Sequence, residues 1–440
     1  MWTSRLDKSP DHLAVYDKRQ KRSFSKLYQF CANNNILAVE RYIKNLSIKD
    51  INRVEVNGNT ALHIAVLNRS PEIIKLLLKR NACRSIRNIN NHRPYEIAET
   101  DEIRNLFKRE NCHTRFTYVN GCLPYYQQQK KSYKTFSSNK NTNLNQVNRC
   151  SLCDNEDPCE WEILDDHAAE KAERFRRESK HSMFYGHGVV HDLQNKISSI
   201  KKGYLGSRLR GMQLGDSIKY FFNKASKEQN PFYIIKAYTS GTSFYKYVNG
   251  DMARNVIHDL KQGCSQFFCT RLYSTQDGVM SITSILLHHP SFESYSYIGK
   301  VYRGMTVNEM CLSNYRCGIR IVNTTFLSTS KTLNVAKQFN NVEENPNNDV
   351  SVLCIYKIRN SRTALYIAEI SEFPEEDEVL ILPFAAFEIM SITRDTEKTE
   401  ICLEECDRPK QEDDKFKLPN VPPYFVSPKV KRTLGETIAP

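Results

Sequence analysis

Four residues in the last third of this sequence, Arg303, Ser328, Glu376 and Glu378, have types and surroundings that suit catalysis. Arg303 ends a strand-like run, YIGKVYRG. Ser328 lies in FLSTS, and Glu376, Asp377 and Glu378 stand directly before the apolar run VLILPF. A guanidinium is a planar fork that binds phosphate at two points and keeps its charge. A carboxylate beside a sugar carbon stabilises the positive charge that develops as a glycosidic bond breaks, and a second one can orient a nucleophile and take its proton. Singly, each string is common: an arginine on a strand usually serves a surface pair, and an acidic cluster is usually a solvated turn. Their order and their flanks make the set informative.

Other candidate groups are weaker. Cys150, Cys153, Cys159 and His167 offer three thiolates and an imidazole, but structural zinc sites usually show two tight pairs and this has one. His187 and His191 are four apart, yet no glutamate follows the first, and Gly186 and Gly188 disfavour a helix. GYLGSRLRG, from Gly203, has the wrong glycine spacing for a dinucleotide fingerprint and reads as a basic loop. No metal is expected.

The elements that must position these residues are bounded by composition. A chain of 440 residues, 40% apolar and 26% charged, suits two or three folded domains. Its net charge of +13 is gathered partly in the N-terminal arm and in a stretch between Glu110 and Asp154 without an acidic residue, so solvated arms and not a nucleic-acid face are expected. The longest apolar run, Val379 to Phe387, is too short for a membrane span. The first ten residues, MWTSRLDKSP, lack a signal-peptide core. An intracellular protein, cytoplasmic rather than nuclear, with free thiols among its 14 cysteines, is the expectation.

NGNTALHIA at 57–65, followed by LNRSPEIIKLLLKRNA, resembles an ankyrin repeat. Asn57 and Gly58 supply a turn, Thr60 caps a helix, and Leu62 and Ala65 face a second helix built on Ile73, Ile74, Leu76, Leu77 and Leu78. Residues 93–98 repeat the frame thirty-three residues later, and Ala32 falls under Ala65 one period earlier. One good repeat and two worn ones are expected, with a weak protein partner at most. The resulting division is a basic arm at 1–23, repeats at 24–110, a basic polar linker at 111–149, a helical connecting segment at 150–204, a mixed α and β domain at 205–407 and a proline-rich tail at 408–440. In the mixed domain, IKYFF, FYIIKAY, MSITSILLHH, YIGKVYRGM, DVSVLCIYKI and ALYIAEI read as strand-like and helix-like runs in alternation. The linker composition implies few contacts between repeats and domain.

Arginine on one strand, STS on the next, and ExE before an apolar strand together resemble the arginine-specific mono-ADP-ribosyltransferase family. AYTSGTSFYKYVNGDMAR at 237–254 and NVAKQF at 334–339 extend the likeness, which covers about 205–395. Leu382 departs from a proline frequent in the family. The cysteines at 264, 269, 311, 317 and 354 resemble those that form disulfides in secreted relatives, without an assigned pairing.

The resemblance implies a multidomain chain: an all-α repeat module and an α+β transferase of two packed β-sheets with flanking helices around an NAD cleft. It implies NAD as substrate, with NADP as an alternative. Arg303 would anchor the pyrophosphate, Gly304 would let the nicotinamide amide approach the backbone, and Ser328, with Thr329 and Ser330, would orient the nucleotide. Glu378 would stabilise the oxocarbenium and bond the ribose 2′ hydroxyl, and Glu376 would receive an acceptor protein's arginine. On an ideal strand the two glutamates would share a face. An NAD glycohydrolase that dispenses with Glu376, and an inactive ankyrin scaffold, are the alternatives.

Overall fold

The structure, a computed structural model, describes residues 23–109, 160–164, 166–181, 193–208, 213–242, 244–261, 276–308, 312–338, 349–395 and 399–409. The expected N-terminal arm, linker and proline-rich tail lie almost wholly outside these residues, as do Cys150, Cys153, Cys159, His187 and His191, and Cys264, Cys269 and Cys311.

The repeat module contains α1 (Lys26–Ala32), α2 (Ile36–Ile43), α3 (Ile48–Ile51), α4 (Ala61–Leu67), α5 (Pro71–Lys79), a single 3-10 turn at Pro94–Ile97 and α6 (Asp101–Phe107). Short polar side chains start most of these helices: Ser25, Asn35, Ser47, Thr60 and Thr100 each accept a backbone N–H of the first turn. α5 begins on Pro71, whose missing N–H costs nothing there. Ile73, Ile74 and Leu77 of α5 close on Leu62 and Ala65 of α4 in one core that also takes Val39, Ile43, Ile103 and Phe107. Gly58 is required at its turn, since its φ is +77° and a Cβ would lie 1.5 Å from Ile89 Cγ2. The first repeat is out of the expected frame. α1 and α2 begin at 26 and 36, thirty-five residues before α4 and α5 at 61 and 71, so Cys31 is buried and Ala32 is exposed.

The second domain opens with a strand, β1 (Trp161–Leu164). That corrects the expectation of a helical connection over 150–204: Trp161 packs edge-on against Tyr315 and Tyr356, and the strand pairs antiparallel with a distant partner. Helices follow: α7 (Ala168–His181), α8 (Leu193–Ile200), α9 (Gln213–Glu228), α10 (Phe232–Thr239), α11 (Phe244–Lys261) and α12 (Gln276–His288). The expected basic loop at 203 is instead part of a π-helical continuation of α8, Lys201–Arg208, in which Tyr204 is fully buried. The remaining strands are β2 (Ser296–Tyr297), β3 (Gly299–Asn308), β4 (Arg320–Asn323), β5 (Leu327–Ser330), β6 (Asp349–Ile358), β7 (Ala364–Tyr366), β8 (Glu378–Ile381), β9 (Ala386–Arg394) and β10 (Thr399–Glu405). A short helix, α13 (Leu333–Gln338), lies between β5 and β6.

After β1, the main helices therefore come before the other strands, not in alternation with them. IKYFF and FYIIKAY are helical, and every residue of α10 is buried, so no polar face marks its period. The strands form one mixed sheet in the order β1-β4-β9-β10-β6-β3-β5-β8-β7-β2. The two sheets expected are joined through the Tyr302–Ser330 pairing of β3 with β5. One face of β8 sends Leu380 into the core shared with Ile234, Ile235, Ile282 and Ile285, while Val379 and Ile381 enter the core on the opposite face with Val301, Val352 and Tyr356.

Candidate active site

Arg303, Ser328 and Glu378 come from three adjacent strands, β3, β5 and β8. Ser330 lies opposite Tyr302 on one side and Glu378 on the other, and Ser328 lies opposite Leu380. Arg303 Nη1 donates to the Ser328 carbonyl at 2.8 Å, which ties the guanidinium to the STS strand. Gly304 follows on β3, opposite Leu353. Arg303, Gly304, Ser328, Ser330 and Glu378 are all buried, Arg303 and Glu378 to 2% and 1% exposure. The sequence thus brings its four catalytic candidates into one region, with Thr329 and Ser330 acting as struts. Thr329 Oγ1 donates to the Val379 carbonyl at 2.6 Å and Ser330 Oγ to the Glu376 carbonyl at 2.8 Å.

Glu376 and Glu378 do not share a strand face. Glu376 ends a 3-10 turn, Pro374–Glu376, Asp377 is left-handed at φ +48°, and only Glu378 belongs to β8. The turn is held from outside: Asp377 accepts from Tyr366 Oη at 2.6 Å and Thr332 Oγ1 at 3.1 Å. Glu376 therefore lies on the turn and Glu378 on the strand, with the left-handed Asp377 between them.

Both charged poles of the site have partners that sequence reading missed. Arg303 Nη2 donates to both oxygens of Glu160, each at 2.7 Å. Burial opposes the guanidinium's charge, but the Glu160 carboxylate and its hydrogen bonds hold Arg303 above the usual arginine range. Glu160 presents the kind of anionic oxygen pair that a pyrophosphate would bring. Its only sequence signal is an acidic residue before WEIL, which identifies no partner. At the other pole, Arg109 Nε donates to Glu376 Oε1 at 2.7 Å and Nη2 to Oε2 at 3.1 Å. Next to Glu376, burial raises the Glu375 carboxyl to about 7 despite the nearby Arg84 and Arg109, with Glu376 adding repulsion. Among the described residues no cluster of metal-ligating side chains occurs, and His167 is exposed. Cys31, Cys83, Cys317, Cys354, Cys402 and Cys406 are free thiols.

The class of this domain is given by comparison with known families. Residues 225–411 match the family described as NAD:arginine ADP-ribosyltransferase, and residues 27–78 match ankyrin repeats. The chain is therefore multidomain, a helical ankyrin region joined to an α+β domain of the ADP-ribosyltransferase type. Among individual proteins it is similar to Vis, an ADP-ribosyltransferase from Vibrio splendidus, with 33% identity over 108 residues, 24% of this chain. The matched part spans 43% of that relative's length. Solved structures of Vis with the M6 inhibitor and of the type III effector XopAI from Xanthomonas axonopodis pv. citri each cover 56% of this chain. They cover 87% and 95% of their own, at 20% and 16% identity and TM-scores of 0.28 and 0.35. No helix among the described residues is long and apolar enough to cross a membrane.

Proposed function

We propose that the chain transfers ADP-ribose from NAD to arginine side chains of an acceptor protein and releases nicotinamide. The observation that carries this reading is the register of β3, β5 and β8, which gathers Arg303, the STS strand and Glu378 in the region that matches the transferase family. Arg303 binds the pyrophosphate after exchanging the Glu160 carboxylate for it, a swap of one anion for another at a fork that keeps its charge. Ser328 and Gly304 line the nicotinamide side. Glu378 stabilises positive charge at the ribose carbon as the bond to nicotinamide lengthens. Glu376 receives the acceptor guanidinium, whose unperturbed pKa of about 12.5–13.8 leaves almost no neutral nucleophile near pH 7, and takes its proton.

NADP would be accepted wherever its extra phosphate stays outside the Arg303 fork. The ankyrin region supplies a protein-binding surface. Incubating the full chain with NAD and a small guanidine tests the reading: nicotinamide release coupled to guanidine modification is expected. Release without modification, across a range of guanidine concentrations, would point to water as the acceptor.

A further inference from the structure

The loop between β7 and β8, which carries Glu376, is gripped by the ankyrin module at three carboxylates, Glu369, Glu372 and Glu376. Arg87 Nη2 and Arg93 Nη2 donate to Glu369 Oε2 at 2.8 and 2.9 Å. Cys83 Sγ and the Ser85 hydroxyl donate to Glu372 Oε1, the former at 3.0 Å, and the Arg84 amide donates to Oε2 at 2.8 Å. The third carboxylate is Glu376 itself, held by Arg109, which follows α6. These contacts overturn the expectation of few contacts between repeats and domain. The linker's composition describes the tether and carries no information about a docked face on the repeats.

Arg109 is seated more closely than a surface pair. Besides its two bonds to Glu376, Nη2 donates to the Thr239 carbonyl at 2.9 Å and Nη1 to the Ser240 carbonyl at 3.2 Å. The guanidinium carbon lies 3.7 Å from the Phe373 ring centroid. The Arg109 and Glu376 side chains are 8% and 9% exposed. We infer that Arg109 is an in-chain stand-in for the acceptor arginine: the ankyrin module places its guanidinium on Glu376 and bars other proteins' arginines until the module is lifted. This rests on the arginine-transfer reading above, because it is that reading which gives Glu376 a guanidinium to receive.

Two arguments carry the inference. A carboxylate engaged through both oxygens by one planar fork cannot engage a second in the same way. The surroundings also make Arg109 a blocker and not the substrate. Two carbonyls and a carboxylate take the guanidinium's N–H groups and an aromatic ring covers its face, whereas attack on the ribose needs a nitrogen free to leave such partners. Water needs no such seat, so the docked chain retains NAD hydrolysis while arginine transfer is suppressed.

The test is the full chain carrying R109A, assayed with NAD and a small guanidine acceptor, with nicotinamide release recorded in parallel. If the undocked form is about 1–10% of the parent population, the acceptor concentration for half-maximal transfer should fall by about 10- to 100-fold in the variant. The double variant R87Q/R93Q, which loosens the grip at Glu369 without touching Glu376, should move it the same way by less. R109K, which keeps the charge but loses the fork, should lie between R109A and the parent. Equal half-saturation in parent and in a folded R109A, both releasing nicotinamide, would overturn the inference. So would ADP-ribose found by mass spectrometry on Arg109 of the parent after incubation with NAD. Absence of nicotinamide release from parent and variant alike would instead sink the transferase reading, and the inference with it.

Discussion

The molecule neutralises the two charged poles of its candidate site in different ways. Arg303 meets Glu160 inside one domain, where the carboxylate arrives on the lead-in to β1 and the pair is surrounded by the sheet's own core. Glu376 meets Arg109 across two domains, on a loop gripped from outside. Geometrically the pairs are similar, each a guanidinium on a carboxylate with both oxygens engaged. What differs is what happens on separation. Breaking the first with no replacement anion leaves a buried guanidinium without its carboxylate, whereas breaking the second lets both partners meet water. The same chemistry therefore builds the fold at one pole and regulates access at the other.

The largest expected effect separates these two cases. E160A should destabilise the second domain by about 3–5 kcal/mol, the usual cost of leaving a buried ion without its partner. R109A should leave the thermal midpoint of that domain much closer to the parent's. Equal losses in a calorimetric scan would erase the distinction between a structural and a detachable pair.

Next in size, E378Q should lower nicotinamide release by about 10²–10³, since the amide keeps a hydrogen bond but loses the charge facing the oxocarbenium. Release within a few-fold of the parent would remove Glu378 from the reaction. E376Q should then split the activities. Transfer to a guanidine should fall by about 10² or more, with hydrolysis retained to within a few-fold. Equal loss of both would make Glu376 a support for NAD or for the turn.

The smallest effect is a pair of opposite pH dependences. His63, buried in the repeat core with its Nε2 at 3.0 Å from the His92 carbonyl, is pushed down to about 4 by burial. A depressed histidine contributes stability above its unfolded value near 6.5 that is lost as pH falls toward 4, so the repeats should melt earlier in acid. Glu375 runs the other way. Its carboxyl is raised to about 7, so the protonated form is the one favoured in the folded, docked chain, and that contribution is lost as pH rises from about 4.5 through 7. Arg84, Arg109 and Glu376 are the charges that bear on it. Melting curves of parent and E375Q between pH 5 and 8 should diverge at the alkaline end; superimposable curves would remove Glu375 from the interface energetics.

How far the sequence revealed this arrangement depended on whether the signal was local. Thr60, Gly58 and the α5 apolar face are legible because caps, turns and helical periods are written in neighbouring residues. The candidate set Arg303, Ser328, Glu376 and Glu378 could be picked out because each member sits in a short string with a fixed flank. FYIIKAY was ambiguous because a helix buried all round has no periodic polar face. Arg109 and Glu160 were invisible because their partners lie 267 and 143 residues away. One distributed signal did exist. From 73 to 95 the chain carries Lys75, Lys79, Arg80, Arg84, Arg87 and Arg93 without an acidic residue. The run 369–378 carries six carboxylates, Glu369, Glu372, Glu375, Glu376, Asp377 and Glu378, so the complementarity of the two surfaces was on display before their contact was.

The separation of Arg109 from Glu376 also sets the order in which they come into being. On a ribosome the repeats emerge first, and at about 5–20 residues per second the 267 residues that follow take roughly 13–53 s to synthesise. A local helical array folds well within that interval. The module is therefore already shaped when β8, among the last strands of the sheet, leaves the exit tunnel, and the acceptor carboxylate is born beside its occupant. A newly made chain would then have no interval in which it is complete and unrestrained. Moving the repeats to the C-terminus in a circularly permuted gene should open such an interval, visible as guanidine modification during cell-free synthesis with NAD that the natural order lacks.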